Sequence, residues 1–225
     1  MRHGAIVIAR MLGLVVAACA LLLQPAAGAD TATPQAGAQP PSAGAGEEQL
    51  PDQVRQLTHW VLATSDNLDM PFVIIDKVVA KVFVFDRLGQ LRAASPALLG
   101  LAQGDDTAPG IGNRPISTIR SDERTTPAGR FVASLASTGH GDEVLWVDYD
   151  ASVALHRVVD IPRERRLQRL ASANPLDRRI TYGCINVPAK FFDTVIGPTF
   201  RATSGIVYVL PETRSPRQVF GSSRD

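Results

Sequence analysis

Thiols are nearly missing from this 225-residue chain, which has only Cys19 and Cys184. Cys19 lies inside an N-terminal apolar run that reads as an export signal, so a processed chain keeps Cys184 alone and cannot close an internal disulfide. A single thiol in an exported protein pairs between chains, packs as a small hydrophobe, or reacts. Long apolar runs are missing too. Met11 to Leu23 is 13 residues, short of the ~20 a helix needs to span a bilayer, so no stable membrane span is expected. Surplus charge of one sign is also absent. The formal net charge is +1 and becomes −1 once Arg2 and Arg10 leave with the signal, which gives no basis for nucleic-acid binding.

What is present begins with Met1 to Ala29, where two arginines, the apolar run and the small residues Ala27-Gly28-Ala29 form a secretory signal. The expected location is periplasmic or elsewhere in the cell envelope. Val16-Ala17-Ala18-Cys19 resembles a lipoprotein box, which leaves lipid anchoring at Cys19 as a lesser alternative. Residues 30–46, rich in Ala, Gly, Pro, Thr and Ser, read as a flexible linker. Residues 47–69 read as a short helical segment, because Leu50, Val54, Leu57 and Val61 recur at helical spacing. His59 and Trp60 within it read as packing or surface residues.

Residues 70–212 read as a mainly β domain. Strand-like runs are Phe72 to Ile75, Val79 to Phe85, a strand near Leu91, Phe131 to Ser137, Glu143 to Tyr149, Ser152 to Val158 and Gly205 to Leu210. Their quick succession predicts antiparallel pairing, with Asp76 and Lys77 as a linking turn. Leu98 to Arg124 is broken by Gly104, Pro109, Gly110, Gly112 and Pro115 and reads as loops. Within it, Asp105 and Asp106 read as a solvated turn and not a metal site, and Gly110-Ile111-Gly112 is too short for a phosphate cradle. Arginine-rich Ile161 to Arg179 should hold a short helix between Pro162 and Pro175, with most charges solvated. Pro188 can open a helix whose apolar face is Phe191, Phe192, Val195 and Ile196. Residues 213–225 read as a polar tail, and His140 as an exposed turn residue.

The stretch with most chemistry is Arg178 to Pro188. Around Cys184 it has a glycine that admits close backbone approach, the hydroxyls of Thr181 and Tyr182, and the amide of Asn186. Thr181-Tyr182-Gly183-Cys184-Ile185-Asn186 resembles the S/T-H-G-C-hydrophobic-N signature of the L,D-transpeptidases, the YkuD-like cysteine enzymes of bacterial cell walls. Tyr182 stands where that family usually has histidine. Thr125 to Phe131 resembles the family's T-P-x-G-x-F segment, and His156 its upstream catalytic histidine, although the 28 positions from His156 to Cys184 exceed the usual gap.

The resemblance implies a YkuD-like β-sandwich or barrel-like catalytic domain with a few short helices. It implies Cys184 as nucleophile, His156 as base and Gly183 as a backbone donor to the oxyanion. Tyr182, Thr181, Arg179 and Asn186 would be substrate-binding residues, with peptidoglycan stem peptides as substrate. No metal or organic cofactor is implied, and a carbapenem is expected to add to Cys184. Two alternatives stay open: a murein hydrolase (L,D-carboxypeptidase or amidase) using the same cysteine, and a murein-binding protein that has lost catalysis.

Overall fold

Alternating burial explains the first half of the fold. In the computed structural model, which describes residues 50–139 and 141–221, β1 (Phe72–Asp76) and β2 (Lys81–Phe85) bury side chains on both faces. Phe72, Ile74, Phe83 and Phe85 point to one layer; Val73, Ile75, Val82 and Val84 point to the other. A strand covered on both faces needs a near-continuous apolar run, which these two supply. The outer layer is capped by α1 (Asp52–Thr64), which buries Val54, Leu57 and Val61. Each such side chain contributes about 1.5–3 kcal/mol. The helix ends at Ser65 in the left-handed conformation, φ 54°.

The chain continues through β3 (Leu91–Pro96), β4 (Leu99–Gly100) and a loop region of short 3-10 turns to β5 (Gly129–Ser137), β6 (Glu143–Asp148) and β7 (Val153–Arg157). A short α2 (Arg166–Ala171) precedes β8 (Arg179–Thr181) and β9 (Ile185–Val187). Then α3 (Ala189–Phe191) runs through a π turn (Phe192–Ile196) into α4 (Gly197–Phe200), followed by β10 (Gly205–Val209) and α5 (Pro216–Phe220).

Eight strands form one sheet in the order β3-β2-β1-β10-β5-β6-β7-β9, and β4 pairs with β8 beside it. The first half of β5, Gly129 to Ala133, pairs with β10, and its second half, Ser134 to Ser137, pairs with β6. β5 therefore carries the chain from one half-sheet to the other. Both halves share one core, which joins Val73, Ile75, Val82 and Val84 to Leu145, Leu155, Ile185 and Val187. The domain is mainly β, as expected.

Pairing is not wholly antiparallel. β1 with β10, β7 with β9 and β4 with β8 run parallel. Parallel partners need long crossovers, and the chain has them: residues 77–204 between β1 and β10, 158–184 between β7 and β9, and 101–178 between β4 and β8. One further expectation is corrected: Asp105, read as solvated, is 3% exposed, whereas Lys77 stands in the turn between β1 and β2 as expected, with its side chain buried. The chain from Pro211 is also no free tail as far as it is described. Thr213 and Arg214 bind Asp105, and Phe220 of α5 meets Tyr208 edge-on at 6.0 Å. The signal, the linker, Cys19, His140 and residues 222–225 lie outside the described residues. Among the described residues no helix is long and apolar enough to cross a membrane.

Candidate active site

Strand periodicity builds the site. Leu155 and Ile185 are register partners in the parallel β7–β9 ladder, as are His156 and Asn186. Side chains two apart share a face. Val153, Leu155, Ile185 and Val187 enter the core. Ala154, His156, Cys184 and Asn186 are left on the opposite face, above which lies a cleft of about 480 Å3. Its walls include Cys184, His156, Ser152, Trp146, Asp142 and Val159. The nucleophile and the base expected from the sequence thus line one cavity.

The Cys184 turn is buckled internally. The Thr181 hydroxyl donates to the Cys184 carbonyl at 2.7 Å and accepts the Gly183 N–H at 3.1 Å. The Gly183 carbonyl accepts from the Thr126 hydroxyl at 2.9 Å. At φ +133° and with the Thr125 carbonyl 2.8 Å from where a Cβ would stand, position 183 admits only glycine. Two expectations shift as a result. The Gly183 N–H is engaged by Thr181 and is not a free oxyanion donor, and Thr181 shapes the turn instead of facing the cleft.

The thiol hydrogen-bonds to the Ser152 carbonyl at 3.7 Å. Burial pushes the Cys184 thiol above its ordinary value, while the Ala154 backbone N–H and the charge of Arg166 pull it down. His156 is held at both ring nitrogens, with Nδ1 2.8 Å from the Arg157 carbonyl and Nε2 2.9 Å from Asn186 Nδ2. A carbonyl only accepts, so Nδ1 bears the proton and Nε2 is the basic nitrogen. Burial lowers the imidazole's proton affinity, the Arg157 carbonyl raises it, and Arg166 lowers it further. A neutral imidazole and a protonated thiol on the wall of one cleft are a resting arrangement, in which the sulfur still has to release its proton.

The remaining residues expected to bind substrate fall elsewhere. Asn186 is 1% exposed and bonds His156 and Arg166. The Tyr182 ring lies 3.9 Å beneath the Arg124 guanidinium and lines no part of the cleft. Arg179 lines no part of the cleft. It is 7% exposed and bonded to both carboxylate oxygens of Glu212 and to the Lys77 carbonyl. Lys77 in turn reaches Asp105 at 2.8 Å, Glu212 at 3.6 Å and the Thr126 carbonyl at 3.0 Å. Burial alone would raise the Asp105 carboxyl; hydrogen bonds from Lys77, Thr213 and the Glu212 backbone reverse this and hold it well below the usual carboxylate range. This neutral cluster of two cations and two anions braces the backbone beneath the Cys184 turn.

Sequence reasoning missed Ser152, and it met Thr126 only within the Thr125 to Phe131 segment and Arg166 only as one of several arginines before Cys184. The glycines near Ser152 carried a faint signal: a Cβ on Gly112 would stand 2.3 Å from the Asp150 carbonyl, so that glycine lets the loop pack on the turn holding the thiol. No group of three or more His, Cys, Asp or Glu among the described residues is placed to hold a metal.

No family model and no curated protein matches the chain. Solved structures that resemble it include an L,D-transpeptidase from Xylanimonas cellulosilytica, at 14% identity and TM-score 0.40, covering 62% of this chain and 60% of that one. The catalytic domain of the E. faecium L,D-transpeptidase is 15% identical at TM-score 0.39, covering 63% and 98%. The helical cell shape determining protein Pgp2 from Campylobacter jejuni is 14% identical at TM-score 0.39, covering 65% and 49%. The matched region is thus less than two thirds of the Xylanimonas and Campylobacter chains. At this distance the chemistry of the site has to be read from its own side chains.

Proposed function

We propose that this chain is an exported L,D-transpeptidase that works through a Cys184 acyl-enzyme on murein stem peptides. The observation that supports this most is the shared face of β7 and β9, which puts Cys184 and a neutral His156 on the wall of one cleft. The residue pattern from Thr181 to Asn186 supports the choice of substrate.

In this reading the thiol leaves the Ser152 carbonyl, Asn186 Nδ2 releases the Nε2 lone pair, and the thiol proton passes to His156 Nε2. The thiolate attacks the carbonyl carbon of a stem-peptide amide, and the C–N bond breaks as His156 returns the proton to the leaving amine. The thioester is resolved by the amine of a second stem, whose proton passes through His156 to restore the thiol. With the Gly183 N–H engaged, the amide of Cys184 itself is the nearest backbone donor to the oxyanion.

Purified sacculi treated with the protein and analysed as muropeptides test this reading. New 3→3 cross-links are expected. Shortened or uncoupled stems would instead assign hydrolysis by the same thioester. Unchanged muropeptides together with no carbapenem adduct by intact mass would assign binding without catalysis, a reading favoured by the engagement of the thiol and the imidazole with Ser152 and Asn186.

A further inference from the structure

The segment that lengthens the spacing between His156 and Cys184 is more than a spacer, because it delivers Arg166 to the site. We propose that Arg166 is a positioning residue: acting through Asn186, it keeps His156 Nε2 unprotonated, so that the ring, whose Nδ1 proton is held by the Arg157 carbonyl, stays neutral. The inference rests on the reading of His156 as the base for Cys184.

The polarity of the hydrogen bonds carries the argument. Arg166 Nη1 lies 3.1 Å from Asn186 Oδ1, Asn186 Nδ2 lies 2.9 Å from His156 Nε2, and His156 Nδ1 lies 2.8 Å from the Arg157 carbonyl. A guanidinium only donates, so the amide atom facing it must be the oxygen. The amide nitrogen then donates to Nε2, which must be unprotonated. The chain runs one way from a group that cannot accept to a group that cannot donate. Without Arg166 the amide can turn over and present its oxygen to the ring, so that Nε2 takes up a second proton and donates it to that oxygen while Nδ1 keeps its own against the Arg157 carbonyl.

Arg166 is itself held. Its Nε donates to Glu164 at 2.6 Å, and its side chain is 11% exposed. Arg165, between them, adopts the left-handed conformation at φ 53°, which reverses the chain where α2 begins. The other charged groups around the imidazole are Asp142, Glu143, Arg157 and the Cys184 thiol, all on the cleft wall. Arg157 is neutralised by Asp193 at 2.6 Å, and Glu143 faces Arg201 at 3.2 Å. Asp142 raises the imidazole's proton affinity and Arg166 lowers it. Arg166 also favours the thiolate, so one cation supports both partners.

Nitrogen NMR of the full 15N-labelled chain tests the proposal without any murein. In the wild type His156 should show a protonated Nδ1, a pyridine-type Nε2 and a coupling across the hydrogen bond to Asn186 Nδ2. Arg166→Gln should let Nε2 take a second proton more readily, raise the imidazole midpoint and move Cys184 alkylation to higher pH, with Arg166→Lys recovering part of each. A one-unit shift of the thiol slows alkylation at pH 7 about tenfold. A wild-type ring carrying its proton on Nε2 would overturn the proposal even if Arg166→Gln did not fold, and so would a folded R166Q with both midpoints unchanged. Unaltered sacculi beside the expected tautomer would reject the murein chemistry alone.

Discussion

Thr126 and Gly183, 57 positions apart in the chain, meet at a single hydroxyl: Thr126 Oγ1 donates to the Gly183 carbonyl at 2.9 Å while accepting the Gly100 N–H at 2.9 Å. The residue is fully buried. One side chain therefore ties the start of β5 to both β4 and the nucleophile turn. Thr126→Val keeps the shape but leaves two buried backbone groups unpaired, each costing about 1–3 kcal/mol. We expect a lower urea midpoint and a slower reaction of Cys184 with a thiol reagent. Thr126→Ser should restore both, and a T126V protein as stable and reactive as wild type would show that the tie is dispensable.

Arg179 separates a scaffold role from a substrate role. Removing it leaves Glu212 buried against Lys77 and Asp105, and breaking such a pair costs about 3–5 kcal/mol. Arg179→Ala should therefore lower stability strongly. At temperatures where the variant is still folded, the concentration of stem peptide needed for half-maximal rate should stay within about twofold of wild type, because only uniform substrate contacts move that constant alone. A stable variant with weakened substrate binding would return Arg179 to the substrate contacts.

His156 and Tyr182 make opposite predictions as activators of the thiol. Tyrosine ionises near pH ~10 and imidazole near ~6.5, so only the latter accepts a proton readily at neutral pH. His156→Ala should slow alkylation at pH 7 on the order of 100-fold. Tyr182→Phe keeps the ring that Arg124 covers and should change the rate by less than about threefold, since a surface change of this kind is nearly neutral. The reverse ranking in folded proteins would remove His156 as the base.

Cys184→Ala should abolish any change to sacculi while leaving the fold, and it should also alter the pH dependence of stability. The folded thiol holds its proton more tightly than the unfolded one, so the unfolded chain ionises first and stability falls as pH rises past ~8.5. The folded His156 holds its proton less tightly, so its contribution is complete above ~6.5 and is lost as pH falls below that. Urea midpoints from pH 5 to 10 should show both declines in the wild type and a weaker alkaline one in C184A. Equal alkaline declines would mean that the thiol is not buried in the folded state.

How much could be read beforehand differs by residue type. Val54, Leu57 and Val61, picked out by helical spacing, are the residues that α1 buries. Phe191, Phe192, Val195 and Ile196 pack where the helix-forming run after Pro188 was expected, although a π turn interrupts it. Cys184 and His156 were legible as a pair. The charged residues were not. Asp105 looked solvated because a carboxylate in a glycine-broken stretch usually is, and Arg179 looked functional because it lies five positions from the thiol. Arg166, farther off in sequence, is the arginine bonded to the site.

The sequence by itself determined which residues could share a face, because alternation along β7 and β9 is a property of neighbouring positions and needs no knowledge of the rest of the chain. That local periodicity put Ala154 with His156 and Cys184 with Asn186, and Leu155 and Ile185 on the other faces of their strands; the β7–β9 pairing then brought the two sets together. Only the tertiary structure decided what each polar group bonds to. A buried donor must find an acceptor wherever packing brings one, and here the partners stand far apart in the chain: Thr126 on Gly183 across 57 positions, and Arg179 on Lys77 across 102. No local pattern encodes such pairings, because they are set by which strands the crossovers bring side by side.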